Sequence, residues 1–225
     1  MSRSVFIVIP AYNEAGAIRE VVSGLRQTYD RVIVVDDGSS DATSEEAREA
    51  GASVVRHMMN RGQGAALQTG IEYSLLRGAE VIVTFDADGQ HRVEDVGALL
   101  GALEREDADI AVGSRFLGIG SDVPFPRGLL LRLAVVVMRF TSRVRLTDAH
   151  NGLRAIRRSA AQRIHLTLDG MAHASEIVDQ IHINGLRVVE VPVVIRYSAY
   201  SRKKGQSGFA AFRIMFDYLL RRWLR

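Results

Sequence analysis

Two carboxylates one residue apart, Asp86 and Asp88, close the apolar run Val81-Ile82-Val83-Thr84-Phe85 and are followed by Gly89. The run reads as a buried strand. Residues two apart share one face of a strand, and Asp-Ala-Asp stands where the strand gives out. There the carboxylates converge, and converged anions are held by a cation between them. This chemistry points to a divalent metal at the carboxyl end of a strand, where open α/β sheets bind ligands. An ordinary polar exit from strand to loop would carry the same residues.

Other strand ends carry polar groups suited to a nucleotide. Pro10-Ala11-Tyr12-Asn13-Glu14 offers an aromatic ring flanked by hydrogen-bonding groups, and Asp36-Asp37-Gly38-Ser39-Ser40-Asp41 a carboxylate pair in a tight turn. Helix capping accounts for Ser39, Ser40 and Asp41 but for neither Asp36 nor Asp37, which leaves one of these to accept from a base or ribose. Asn60-Arg61-Gly62-Gln63-Gly64-Ala65 places two glycines ahead of a helix start, an arrangement that admits a close backbone approach and an anion. It has neither GxxxxGK[ST] nor GxGxxG spacing, and a capped helix after a plain loop would look the same.

The elements that position these groups alternate. Strands are expected at Val5–Pro10, Val32–Val35, Ser53–Arg56, Val81–Phe85 and Ile110–Val112. Helices are expected at Glu14–Thr28, from Asp41 or Thr43, at Gly64–Leu76 and at Val93–Glu104. Repeated βα units with continuous apolar strands predict a mostly parallel central sheet with helices on both faces, a Rossmann-like α/β fold. After a Gly/Pro loop (Gly118, Gly120, Pro124, Pro126), the pattern predicts a helix over Arg127–Arg143 and a short strand at Leu153–Ile156. Beyond these come a helix over Met171–Asn184, a strand over Arg187–Ile195 and an amphipathic C-terminal helix over Phe209–Arg225. One domain is expected through residue 195, with residues 196–225 forming a basic loop and an appended helix.

At 225 residues and 47% hydrophobic content the chain can bury a full core. Leu129–Met138 is broken by Arg132 and closed by Arg139, well short of the roughly 20 apolar residues of a membrane span. Met1-Ser2-Arg3-Ser4 runs straight into a strand pattern without a signal-peptide core. The absence of cysteine excludes disulfides and thiolate metal sites and fits a cytoplasmic protein. Residues 196–225 hold eight Lys/Arg and one acid (Asp217), a balance of +7, whereas the other 195 residues hold 21 basic and 25 acidic groups, a balance of −4. A basic tail on a mildly acidic body predicts an anionic partner; without a basic stripe through the body, nucleic acid is not expected.

Taken in order, Val8-Ile9-Pro10-Ala11-Tyr12-Asn13-Glu14, Val35-Asp36-Asp37-Gly38-Ser39-Ser40-Asp41, Asn60-Arg61-Gly62-Gln63-Gly64 and Asp86-Ala87-Asp88-Gly89-Gln90-His91 resemble the family 2 inverting glycosyltransferases of GT-A fold. The resemblance continues through Gly113-Ser114-Arg115, Asp148-Ala149-His150-Asn151-Gly152-Leu153-Arg154, Glu190-Val191-Pro192 and Arg202-Lys203-Lys204-Gly205-Gln206-Ser207, so it covers nearly the whole chain. Within that family the chain looks most like the dolichyl- and polyprenyl-phosphate sugar transferases.

The resemblance implies that Pro10, Tyr12, Glu14 and Asp36 or Asp37 surround the nucleoside of a GDP- or UDP-linked sugar, with Asn60, Gly64 and Ala87 lining the donor site. It implies that Asp86 and Asp88, assisted by Gln90, hold Mg²⁺ or Mn²⁺ on the donor diphosphate. Arg115 and Arg202 would contact phosphates, as guanidinium forks suit such oxygens, and Ser207 would sit near the pyrophosphate when the loop Ser198–Gly208 closes. Gln63 and Gly208 stand where the family often has Lys. A metal on the leaving diphosphate neutralises its developing charge. A lipid-phosphate acceptor is already an anion and needs no general base, whereas a sugar hydroxyl needs a carboxylate or His, for which Asp148, His173 and Glu176 are the candidates. A solvated helix face is the alternative reading for His173 and Glu176, and the favoured one for His173.

Phe209, Phe212, Phe216, Leu219, Leu220 and Trp223 share one helical face, opposite Arg213, Arg221 and Arg225. Such a face suits either a membrane interface or a second subunit. The expectation is an enzyme at the cytoplasmic face of a membrane, acting on a polyprenyl phosphate whose charge Arg127, Arg132 and Arg139 help to dock. Three alternatives stay open: a family 2 transferase acting on a saccharide hydroxyl, a haloacid-dehalogenase-type phosphatase, and a silent nucleotide-binding subunit. The phosphatase normally opens its fold with the Asp-x-Asp-Gly strand and follows the Gly with Thr or Ser, whereas here three βα units precede it and Gln90 follows.

Overall fold

A computed structural model describes residues 4–118, 146–170 and 172–196. The expected helices over Arg127–Arg143 and Phe209–Arg225, the loop Ser198–Gly208, and Arg127, Arg202 and Ser207 lie outside the described residues.

The strands are β1 (Val5–Ala11), β2 (Val32–Asp36), β3 (Ser53–Arg56), β4 (Val81–Thr84), β5 (Ile110–Ser114), β6 (Arg154–Arg157) and β7 (Val188–Pro192). The helices are α1 (Ile18–Arg26), α2 (Thr43–Glu49), α3 (Gln63–Leu76), α4 (Val93–Arg105), the short α5 (Arg158–Ala161) and α6 (His173–Ile183). All seven strands form one sheet in the order β3-β2-β1-β4-β6-β5-β7. Every pairing is parallel except the two made by β6, which runs antiparallel between β4 and β5.

Alternate strand residues feed two cores. Ile7, Ile9, Val32, Val34, Val81 and Val83 pack with α1, α2 and α4, while Phe6, Val8, Ile33, Val35 and Ile82 pack with α3, α5 and α6. Burial on both sides is why these strands read as continuous apolar runs. Helix α1 starts four residues later than expected, because Glu14 to Ala17 form a turn closed by the Glu14 carbonyl and the amides of Ala17 and Ile18. The chain builds β1, β2 and β3 outward in one direction, then returns to place β4 on the other side of β1. That reversal opens a crevice beyond the carboxyl ends of β1 and β4, the usual ligand position in such sheets. Because β6 is antiparallel, the loop entering it, residues 148–153, arrives at that same edge.

Candidate active site

Strand β4 ends at Thr84, and Phe85 and Ala87 are buried in the first core, which points Asp86 and Asp88 into the crevice. His91 Nε2 lies 2.9 Å from Asp86 Oδ2, and Gln63 Nε2 donates to Oδ1 at 3.4 Å. The His91 ring is buried edge-on against Phe85, 5.4 Å between centroids. Burial raises the Asp86 pKa, but the His91 hydrogen bond and the charges of His91, Arg154 and His173 outweigh it and hold the carboxyl below its ordinary value. Gly152 packs directly on this carboxylate: a Cβ there would lie 2.5 Å from Asp86 Cγ.

Asp88 behaves in the opposite way. Its Oδ1 accepts from the Gln90 amide at 3.1 Å and its Oδ2 from Gln90 Nε2 at 2.6 Å. Burial and the adjacent Asp86 charge nonetheless push its pKa up. The Asp86 charge adds to burial in raising Asp88, and hard oxygen donors of this kind suit Mg²⁺ or Mn²⁺. Among the described residues no three His, Cys, Asp or Glu cluster as metal ligands, so a cation here would need ligands besides these two carboxylates. Gln90 turns its amide NH₂ to Asp88, which leaves Oε1 as the atom through which it would assist.

The turn after β2 corrects one premise of the sequence reading. Both carboxylates of Asp36-Asp37 are engaged by the protein. Asp36, fully buried, accepts from the Ser39 amide at 2.8 Å and from the Ser44 hydroxyl, with Arg56 at 3.5 Å. Asp37 accepts from the amides of Arg61 at 2.9 Å and Gly62 at 2.6 Å, and meets His57 Nδ1 at 2.7 Å. Thus the loop before α3 does bind an anion, and the anion is Asp37. The start of α3 is likewise occupied: the Gly64 amide donates to the Asp169 carbonyl at 2.8 Å. The close approach that Gly62 and Gly64 permit is that of the Leu168–Gly170 backbone, since a Cβ on Gly62 would lie 2.8 Å from Asp169 C and one on Gly64 3.1 Å from Leu168 C. Pro10 pairs with Val35 one residue before β1 ends, and Tyr12, just past that end, is 46% exposed. Asn13, in a left-handed conformation at φ 54°, ties this loop to the next: its amide donates to Ser39 Oγ and its Oδ1 accepts from the Ser40 amide. The Glu14 amide donates to Thr43 Oγ1. Asn60 is exposed on the loop after β3.

On the far side of β4, Asp148 is buried and receives Arg115 Nε at 2.6 Å and the Arg115 amide at 3.1 Å. Glu190 on β7 fixes this corner, accepting from Thr147 N, Thr147 Oγ1 and Asp148 N. Helix α6 corrects a second expectation, since His173 and Glu176 are buried rather than solvated. Glu176 accepts from Thr167 N, Thr167 Oγ1 and Leu168 N, and so shapes the loop that covers α3. His173 Nδ1 lies 3.0 Å from the Gly170 carbonyl, which only accepts, so Nδ1 carries the proton. Burial, reinforced by the Arg154 charge, lowers its pKa to about 4. Burial also lowers His150, against the pull of Asp148. The site further contains Gly152, Arg154, His91 and Glu190, to which the sequence reading gave no role although each stands in a quoted motif. The signal was their place in those motifs, because nothing in their spacing reveals contact with Asp86 or Asp148.

A Rossmann-like sheet with paired carboxylates at its reversal point is the arrangement that the resemblance to GT-A glycosyltransferases implies. The Glycosyl transferase family 2 pattern matches residues 6–164, and the chain belongs to that family. It is 30% identical to the UDP-N-acetylglucosamine–dolichyl-phosphate N-acetylglucosaminyltransferase of Methanococcus voltae, over 96% of this chain and 95% of the relative. It is 36% identical to the polyprenol monophosphomannose synthase of Mycolicibacterium smegmatis, over 83% of this chain and 75% of the relative. The fold superimposes with a TM-score of 0.77 on the glucosyl-3-phosphoglycerate synthase of Mycobacterium tuberculosis solved with Mn²⁺, UDP-glucose and phosphoglyceric acid. That likeness covers 97% of this chain and 78% of the other, at 20% identity.

Proposed function

We propose that this glycosyltransferase moves a sugar from a GDP- or UDP-linked donor to a polyprenyl phosphate, inverting the anomeric carbon. The observation that carries the acceptor is the condition of the three candidate bases. Asp148 is ion-paired to Arg115, Glu176 is filled by Thr167 and Leu168, and His173 is buried with its pKa lowered to about 4. A sugar hydroxyl needs a positioned base to take its proton, whereas a phosphate monoester attacks as the anion it already is. The named activities of the dolichyl-phosphate and polyprenol relatives support the same acceptor.

In this reading Asp86 and Asp88 hold Mg²⁺ or Mn²⁺ with help from Gln90, and the ion would neutralise charge on the departing diphosphate. His91, Gln63 and Gly152 keep Asp86 in place. Tyr12 and Pro10 border the nucleoside, beside Glu14, Asn60 and Ala87. Arg115, its Nε on Asp148, is proposed to order the acceptor side and to contact phosphate oxygens. Arg127, Arg202 and Ser207 are proposed to complete the two phosphate sites, and the basic segment from residue 196 to meet an anionic membrane surface.

The test supplies polyprenyl phosphate with a panel of radiolabelled UDP- and GDP-sugars. Label entering an organic-extractable, acid-labile product is the expected result. Label found only in water-soluble saccharide would instead establish the hydroxyl-acceptor reading and reopen the search for a base.

A further inference from the structure

Arg154 opens the antiparallel strand β6, which Arg157 closes. Strand β6 inserts between β4 and β5, and its register sets Arg154 opposite Thr84 on one side and Val112 on the other. Two residues past Thr84 stands Asp86, and three past Val112 stands Arg115, the partner of Asp148. A single side chain therefore sits beneath both halves of the site. It is 2% exposed, among the largest fully enclosed side chains of the described residues.

The guanidinium is poorly satisfied for such depth. Nη2 donates to the Ala149 carbonyl at 3.4 Å, and Nη1 is buried without a hydrogen-bond partner. It makes no direct ion pair among the described residues, yet Asp86 and Asp148 both act on it through space. Burial pulls its pKa down to about 10, which leaves it charged at neutral pH. A buried charge with one long hydrogen bond is a poor source of stability, and apolar replacement of buried ions is often neutral or favourable. Its position instead gives it a role in the field of the site.

Building on the metal reading above, we propose that Arg154 is a positioning residue, the resident counter-charge of the site. It steadies Asp86 and Asp148 before any ligand arrives and weakens the hold of Asp86 and Asp88 on a bare divalent cation. The cation is then retained only together with a donor diphosphate, whose negative charge outweighs Arg154. Binding of the two is coupled, each strengthening the other.

The test measures Mn²⁺ binding by electron paramagnetic resonance on the full chain, with and without UDP or GDP, alongside kcat and KM. Arg154→Met should bind bare Mn²⁺ about tenfold more tightly, as expected when a nearby like charge is removed. Its kcat should fall, because Asp86 and Asp148 lose their common anchor. A site that was merely loosened would weaken both, so the opposite signs are diagnostic. Arg154→Lys, which keeps the charge, should bind bare Mn²⁺ like the wild type. Unchanged or weaker binding in Arg154→Met, or equal tightening in Arg154→Lys, overturns the proposal. Arg154→Gln repeats the test if the Met variant does not fold, and failure of both to fold assigns Arg154 to stability and overturns it as well. Wild-type protein that binds no Mn²⁺ even with UDP and GDP present refutes the metal reading itself. Wild-type binding with an unchanged Met variant refutes only the role of Arg154.

Discussion

Gly152 and Asp86 are in contact across the sheet, from the loop entering β6 to the loop leaving β4, and the missing side chain of the first is the seat of the second. A Cβ at residue 152 would lie 2.5 Å from Asp86 Cγ. Gly152 does not adopt a positive φ, so the backbone tolerates alanine and the nearest obstacle is the carboxylate. Gly152→Ala should cost about 1–3 kcal/mol by overpacking. It should also depress transfer more than it depresses stability. Urea unfolding and initial rates check this together, and a variant with normal rates would show that Asp86 need not hold this position.

Asp88→Asn separates function from stability. Burial and the Asp86 charge both raise the Asp88 pKa and so disfavour its charged form, and the neutral amide should be tolerated or should stabilise the metal-free protein, by about 1 kcal/mol. Transfer, in contrast, should fall by about 100-fold or more, because a cation loses a charged ligand. Activity of Asp88→Asn close to wild type in EDTA would remove the metal from the reaction.

Asp37 provides a test of anchoring against ligand binding. Asp37→Ala leaves the Arg61 and Gly62 amides and His57 Nδ1 without their shared acceptor, a loss of about 2–4 kcal/mol in urea unfolding. If the carboxylate served only a nucleoside, the same change would spare stability and raise the donor KM.

Much of the fold was legible because strands buried on both faces, such as β1, β2 and β4, read as uninterrupted apolar runs that stop at polar residues. The carboxylate pair was legible for the same reason, since Phe85 and Ala87 face the core and force Asp86 and Asp88 the other way. The role of Asp36 was within reach too: an Asp that accepts from the amide three residues on, here Ser39, is a common turn device. What surrounds the start of α3 was not legible. The occupants of Gly62 and Gly64 come from Leu168–Gly170, about a hundred residues away, and no local pattern announces a backbone arriving from elsewhere. The four-residue strand β6 was readable as a strand, but not its antiparallel direction, and that direction brings Gly152 and Arg154 to Asp86. Helix α5, also four residues, falls below any periodic signal.

The burial of His173 sets an acid limit on the protein. The pKa of His173 lies at about 4 in the fold against 6.5 in the unfolded chain, because burial and the Arg154 charge oppose a second cation there. Between those values the unfolded state binds more protons at this residue, so stability falls as the pH is lowered through that window and is fully retained above it. At about pH 5 the loss from this residue amounts to about 2 kcal/mol. His150, also lowered by burial, acts in the same direction. His173→Asn keeps a donor for the Gly170 carbonyl and removes the titration. Urea unfolding of both proteins at about pH 7.5 and about pH 5 should show a markedly smaller loss for the variant. Equal losses in the two proteins would mean that protonated His173 is accommodated in the fold, which would restore it as a candidate base.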